Sequence, residues 1–338
     1  SLPTFPPFAL FDPALGMTTV VPEMDPTRPA KADPKKLVDV INRFGVTNIF
    51  GSPALLDTLS SYCVDNGIRL ESVTRVISAG AAVPVSTIRR MQRSLYRDAQ
   101  VHTPYGATEC LPVSSISGAQ FDDKLVDRIE SGDGVCVGRP LEPNQVRIIR
   151  ISEMAFRDLS ETTEMPFGMP GEIVVTGPTC TDMYWQRDAD TAMAKFGDEH
   201  GRTWHRMGDV GILDGLGRLW YCGRVSQRVE TGQETLFADQ CEAIFNQHPD
   251  LRRSALVGVG PRFVGRVMST YGSNVTWWRV CNSHGDLPVP LMDEVRERWA
   301  AEGILLKPNG RGCRIAEYRA DLATLSTDYE RATADLLG

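Results

Sequence analysis

The sequence contains no pair of cysteines spaced C-x-x-C. Its eight cysteines, at 63, 110, 136, 180, 222, 241, 281 and 313, are scattered. Neither a local zinc motif nor a dithiol redox motif is therefore encoded, and the cysteines are expected as reduced, mostly buried thiols. Blocks of Lys or Arg are also missing: 36 basic side chains stand against 43 acidic ones. No cationic surface is left for a phosphate backbone, which argues against a nucleic-acid partner. No stretch of eighteen apolar residues occurs, and the amino end lacks the basic-then-apolar order of a signal peptide. No membrane span is expected, and the cytoplasm is the expected location. Internal repeats and low-complexity segments are not visible.

What is present suits a globular chain of about two domains: 338 residues, 42% hydrophobic and 23% charged. The start, LPTFPPFALFDPALGMTTVVP, is largely apolar and is expected to be covered by further chain, with self-association as the consequence of leaving it bare. From 34 to about 110, helical and strand-like periods alternate. In DPKKLVDVINRFG, Leu37, Val38, Ile41 and Phe44 share a helical face, Asp33 is placed to cap it and Gly45 to stop it. VTNIF and SVTRVISAG read as strands, ALLDTLSSYCVDNG and PVSTIRRMQRSLYRD as helices. Alternation of this kind predicts an α/β fold with a mostly parallel sheet between helices, in which ligands collect at the carboxyl ends of strands. SAGAAV and TPYGATE both fall at that edge.

Between about 134 and 224 the pattern becomes period two, in GVCVGRPLEPNQVRIIRI and GEIVVTGPT, with dense Gly and Pro. An antiparallel, barrel-like part is expected there, including a strand, an Asp-Gly-Leu-Gly turn and a strand in GDVGILDGLGRLWYCGR. Beyond it TLFADQCEAIFNQHPD reads as a helix and RSALVGVG as a strand. The domains are expected to be 1–225 and a small α+β domain, 226–338.

Alone, TPYGATE reads as a plain turn, with a ligand site as the alternative. Its chemistry is nevertheless suggestive, since Gly106 lets backbone amides approach phosphate, the Thr108 hydroxyl can donate to it, and Glu109 suits a hard cation. Asp209, after Gly208, suits a ribose diol or merely the end of a hairpin strand. SAGAAV could lie against a flat base or serve as a tight turn.

The order SAGAAV, PYGATE, VGRPLEPNQVRI, GEIVVTGPTCTDMYWQRDADTAMAKF, HRMGDVGILDGLGRLWYCGR and TGQETLFADQCEAIFNQHPDLRRSALVGVG resembles the adenylate-forming superfamily of acyl-CoA synthetases. A finer likeness is to the enzymes of bacterial long-chain olefin biosynthesis that close β-hydroxy acids into β-lactones. It rests on FPPFALFDPALGMTTVVPEMD, on VETGQETLFADQCEAIF, and on WHRMGDVG, where Met207 replaces the usual Thr or Ser. The resemblance implies ATP, AMP and Mg²⁺ as ligands and a long-chain acyl or β-hydroxyacyl substrate. It implies Gly80, Ala81 and Ala82 along the adenine with Tyr105 against its face, Gly106 and Thr108 at the α-phosphate, Glu109 on Mg²⁺, and Asp209 with Arg224 at the ribose. Ser226 falls at the family's hinge, where Asp or Lys is usual.

Two departures follow. The family's Ser/Thr/Gly-rich phosphate loop lies upstream of the LPTFPPFALF region, so the N-terminal half of the large domain is expected outside this chain, supplied by another chain or lost. Adenylation by this chain alone is expected to be weak or absent. The family's catalytic lysine follows a glycine near the carboxyl end. Here Lys307, before Pro308-Asn309-Gly310, is the candidate, and a solvated surface lysine is the competing reading. After Gly260 the likeness fades. A long-chain fatty-acyl-CoA ligase and a nucleotide-binding module without catalysis stay open as alternatives.

Overall fold

A computed structural model of the chain describes residues 1–231, 234–248, 251, 254–256, 292–310 and 312–314. It falls into two compact units, 1–258 and 259–338.

The first unit is built on one mixed sheet. Strands β1 (Leu2–Pro3), β2 (Asn48–Gly51), β3 (Arg75–Ser78) and β4 (Gln100–Ala107) pair in parallel. Helices α1 (Pro6–Ala14), α2 (Pro34–Phe44), α3 (Pro53–Asp65) and α4 (Val85–Ser94) fill the connections. The α2 helix forms where its sequence dictates: the Asp33 carboxylate accepts from the backbone N–H of Lys35 and Lys36, and Gly45 closes it in a left-handed conformation. Leu37, Val38 and Ile41 enter the core with Leu55, Leu59, Val76 and Val101. Phe44, expected on the same face, instead lies 57% exposed at the last turn. The guanidinium of Arg43 covers its ring.

From β4 the sheet continues antiparallel through β5 (Cys110–Ser117), β6 (Val135–Pro140), β11 (Leu219–Arg224), β10 (Trp204–Leu213), β8 (Gly171–Thr176) and β7 (Gln145–Ile149). Short helices α5 (Asp123–Arg128) and α6 (Asp188–Ala194) and strand β9 (Lys195–Phe196) complete this part. It is therefore continuous with the parallel strands through the β5–β6 pair rather than a separate barrel. The expected β10–β11 hairpin is present, and its turn is closed by the Asp214 backbone. In β8 all six residues are buried, because Ile173 and Val175 pack in one core cluster and Val174 in another on the opposite face, so the strand is where it was expected but without an alternating exposure pattern. Close approach of β5 and β6 fixes Gly138: its φ is +86°, and a Cβ there would meet the Ser115 carbonyl.

Two findings differ from the sequence expectations. Cys110 and Cys180 are bonded, brought to a Cα separation of 4.1 Å by an isolated bridge between the start of β5 and the turn after β8. Cys63, Cys136 and Cys222 are buried free thiols. In addition, one short pattern does repeat: D-x-x-G-R-x-W occurs as Asp198 to Trp204 and again as Asp214 to Trp220.

After β11 the chain makes one 3₁₀ turn, Val225–Gln227, and a two-stranded ribbon of β12 (Val229–Glu230) and β13 (Thr235–Leu236). Helix α7 (Ala238–Phe245) then packs on β11 and on residues 129–133, so the stretch after 226 stays with the first unit through α7. The strand expected at RSALVGVG lies largely outside the described residues. In the second unit, α8 (Met292–Glu302) buries Met292, Val295 and Trp299 with Cys313. Among the described residues, no helix is long and apolar enough to cross a membrane.

Candidate functional site

The carboxyl end of β3 turns through Ala79 and Gly80, and β4 carries Tyr105 and Gly106 to its hairpin with β5. Thr108 and Glu109 form the tip of that hairpin. TPYGA thus lies within the strand rather than after it. Gly80, Gly106, Thr108 and Glu109 line one cavity of about 600 Å³ together with Arg224 from the end of β11. Gly80 has φ +94° with open space where a side chain would stand, so it is the backbone conformation that selects glycine. Phe5, Phe8 and Phe50 line the apolar part of the same cavity, with Phe8 stacked on Phe50 at 4.1 Å between centroids.

Glu109 is held from outside its own hairpin. The Tyr184 hydroxyl donates to its Oε1 at 2.7 Å, and the Thr181 backbone N–H donates to its carbonyl at 2.7 Å. Burial would raise the carboxyl, but hydrogen bonds from Tyr184 and its own backbone, with the Lys195 charge, hold it below the usual value. It is therefore a carboxylate at neutral pH. Lys195 is 6% exposed; burial lowers its ammonium below the ordinary lysine value, against the pull of Glu109 and Asp182. His205 is 2% exposed, and burial together with the Lys195 charge pushes it down to about 4, so it is neutral. Its Nδ1 has no hydrogen-bond partner.

Asp209 lies behind this wall. The Tyr105 hydroxyl donates to its Oδ2 at 2.6 Å, while Arg224 Nη1 stands 3.0 Å from Oδ1. That ion pair is not aligned as a hydrogen bond, so among the described residues Oδ1 has the Arg224 charge beside it but no aligned donor. Burial raises the Asp209 carboxyl despite Tyr105 and Arg224. Burial and the Asp209 charge raise the Tyr105 phenol well above its ordinary value, so Tyr105 remains a donor.

Of the residues singled out from sequence, Gly80, Gly106, Thr108, Glu109 and Arg224 thus meet around one space, with Tyr105 and Asp209 coupled directly behind it. Ala81 and Ala82 are exposed and lie outside the cavity wall. Lys307 belongs to the second unit, where its backbone N–H donates to the Gly312 carbonyl. Sequence reasoning passed over Tyr184, His205 and the three phenylalanines. A signal existed for His205, one of only five histidines and placed four positions before Asp209. For Tyr184 there was none, because its partner is 75 positions away.

The donor set fits a nucleotide with a hard cation: an ionised carboxylate beside a hydroxyl, a guanidinium, a wall of glycines, and a buried carboxylate oxygen lacking an aligned donor.

The profile of the family described as AMP-binding enzyme matches residues 11–185, just over half of the chain. The chain is 53% identical over 263 residues to the olefin beta-lactone synthetase of Xanthomonas campestris pv. campestris, covering 77% of this chain and 46% of that protein. It is 52% identical over 263 residues to the olefin beta-lactone synthetase of Stenotrophomonas maltophilia, covering 77% and 47%. The chain spans about half the length of these curated relatives. The solved amide bond synthetase McbA from Marinactinospora thermotolerans superposes with a TM-score of 0.58 at 26% identity, over 74% of this chain and 44% of that one. Cavity, sheet order and sequence agree: the chain belongs to the AMP-binding enzymes of the adenylate-forming superfamily.

Proposed function

We propose that this chain is the nucleotide- and acyl-binding part of an enzyme that activates a long-chain β-hydroxy fatty acid with ATP and closes it to a β-lactone. The carboxylate oxygen attacks the α-phosphorus and pyrophosphate leaves, giving an acyl-AMP. The substrate's own β-hydroxyl then attacks the acyl carbon, loses its proton and displaces AMP. The observation that carries this reading is the shared cavity, polar where Thr108, Glu109 and Arg224 stand and aromatic where Phe5, Phe8 and Phe50 stand. Such a division suits a molecule with a charged head and an apolar chain. The similarity to two olefin beta-lactone synthetases supports lactone closure over thioester formation.

In this reading Thr108 contacts the α-phosphate and Glu109 holds Mg²⁺, which when bound offsets charge on the phosphates. Gly80 lies at the adenine, with Ala81 and Ala82 on the loop beyond the cavity wall and Tyr105 behind it, and Asp209 with Arg224 takes the ribose. In this reading the hinge falls at Ser226, in the 3₁₀ turn where the large sheet ends, and the domain boundary at 225/226, a division that the compact units, which part after 258, do not follow. Lys307 is the weakest member of the set. Residence in the cytoplasm and association with other enzymes of the same pathway belong to the same proposal.

Calorimetry with AMP and with a non-hydrolysable acyl-AMP analogue tests the site: binding that is lost in Asp209→Ala is expected. Product analysis with a β-hydroxy fatty acid, ATP and Mg²⁺ tests the reaction. A lactone formed without coenzyme A supports the reading, whereas a thioester formed only when coenzyme A is added replaces it with an acyl-CoA ligase. Binding without either product fits a nucleotide-binding module and equally the weak adenylation expected of this chain alone.

A further inference from the structure

The Glu109 carboxylate takes one hydrogen bond from its own backbone and one from outside the hairpin. Thr108 beside it is exposed, and the only side-chain hydrogen bond that the carboxylate accepts among the described residues comes from Tyr184. Tyr184 is itself pinned: its backbone N–H donates to the Thr191 hydroxyl at 3.0 Å, which donates in turn to the Arg187 carbonyl at 2.9 Å. Behind it stands Lys195, with Nζ 5.7 Å from the centre of the Tyr184 ring. The Lys195 ammonium donates to the Thr181 carbonyl, and the Thr181 N–H donates to the Glu109 carbonyl. Among the described residues Lys195 has no carboxylate within ion-pair distance, yet it is buried. An unpaired buried ammonium is costly, and here its one strong contact is the backbone segment that locks the Glu109 tip.

We propose that Tyr184 and Lys195 are positioning residues for Glu109: Tyr184 occupies one carboxylate oxygen and so directs the other into the cavity, while Lys195 fixes the loop segment at Thr181 against which the tip rests. The proposal rests on the reading of Glu109 as the carboxylate that holds the divalent cation. Tyr184 lines the same cavity, but its hydroxyl is taken by Glu109, and in this scheme its effect on the cation passes through that carboxylate. The geometry makes a selective statement: loss of the Tyr184 hydroxyl loosens the cation and spares the metal-free nucleotide, because Gly80, Asp209 and Arg224 are held by other elements.

Mn²⁺ binding to the full chain, followed by electron paramagnetic resonance with ATP present, reads the cation. Calorimetry with AMP in the absence of divalent metal reads the nucleotide. Tyr184→Phe is expected to weaken Mn²⁺ about tenfold, the scale of one charge-assisted hydrogen bond, with AMP affinity unchanged. Lys195→Met is expected to weaken Mn²⁺ as well, and Lys195→Arg to restore it. Where Lys195→Met does not fold, Tyr184→Phe, which removes one oxygen from a partly exposed ring, still decides. Equal Mn²⁺ affinity in wild type and Tyr184→Phe overturns the proposal, as does a parallel loss of AMP binding. Glu109→Gln separates the two levels: if it binds Mn²⁺ as the wild type does, the reading of the site falls and the positioning role with it. If it loses Mn²⁺ while Tyr184→Phe does not, only the positioning role falls.

Discussion

Asp198 and Asp214 occupy equivalent places in two copies of one pattern and make the same bonds. Each takes backbone N–H groups two and four residues on with Oδ1, and the Arg side chain and the Trp indole N–H with Oδ2. Trp204 and Trp220, both fully buried, are the beneficiaries. A short polar loop before each strand thereby satisfies an indole that would otherwise be buried without an acceptor. Asp214→Ala should cost about 3 kcal/mol of stability, since several donors lose their acceptor at once. Urea unfolding followed by tryptophan fluorescence measures it, and a cost below about 1 kcal/mol would show that water replaces the carboxylate.

The same aspartate gives stability a pH dependence. Burial alone would raise the Asp214 carboxyl, but hydrogen bonds from the Arg218 and Leu216 backbone, Trp220 and the Arg218 side chain hold it at about 2. Its unfolded value is about 3.9, so the folded state binds fewer protons in this range. The contribution, about 2 kcal/mol, is present above about pH 4 and disappears as pH falls toward 2. Subtracting the unfolding curve of Asp214→Asn from that of the wild type should isolate this slope. A constant difference across the window would contradict it.

Arg206 and Glu172 form a paired charge in the protein interior, with contacts of 2.9 and 2.7 Å, and Arg206 also donates to the carbonyls of Ser152, Met154 and Met193. Removing one partner strands the other. Arg206→Met should cost about 3–5 kcal/mol. Replacing both residues with apolar ones of similar size should cost less than the single change, as measured by thermal unfolding.

Gly138 and Gly80 both have positive φ but differ in surroundings. At Gly80 alanine meets only backbone strain, about 1 kcal/mol; at Gly138 it also meets the backbone of β5. Gly138→Ala should therefore destabilise clearly more than Gly80→Ala, by at least about 1 kcal/mol. Equal melting temperatures would mean that β5 and β6 can part without cost.

Asp209 offers an oxygen without an aligned donor, and a ribose hydroxyl can supply one. Asp209→Asn should weaken AMP about tenfold, and a dideoxy-AMP should bind the wild type about as weakly as AMP binds the variant. Full affinity of the wild type for the dideoxy compound would remove Asp209 from the ribose site.

Local chemistry was legible in the sequence. Helix α2 could be read because its cap, its apolar spacing and its stop all lie within the segment, and the β10–β11 hairpin because its turn is written in Asp-Gly-Leu-Gly. Exposure was read less well: Phe44 has the right phase but sits at the final turn, and β8 is buried on both faces by neighbours its own sequence does not name. The site divides in the same way. Glu109 and Asp209 were visible through their glycine neighbours, whereas Tyr184, the Cys110–Cys180 bond and the Tyr105–Asp209 link join positions 70 to 104 residues apart, which no local pattern records.

The Cys110–Cys180 bond also changes the topology of the covalent chain. It turns residues 110 to 180 into a ring that contains β5 to β8, from which two tails emerge at the clasp. Gly80 and Glu109 travel on one tail, Tyr184 and Arg224 on the other. The cavity thus lies where the ring fastens, and a single protease cut inside the ring would open it while leaving Glu109 and Tyr184 in one covalently joined molecule.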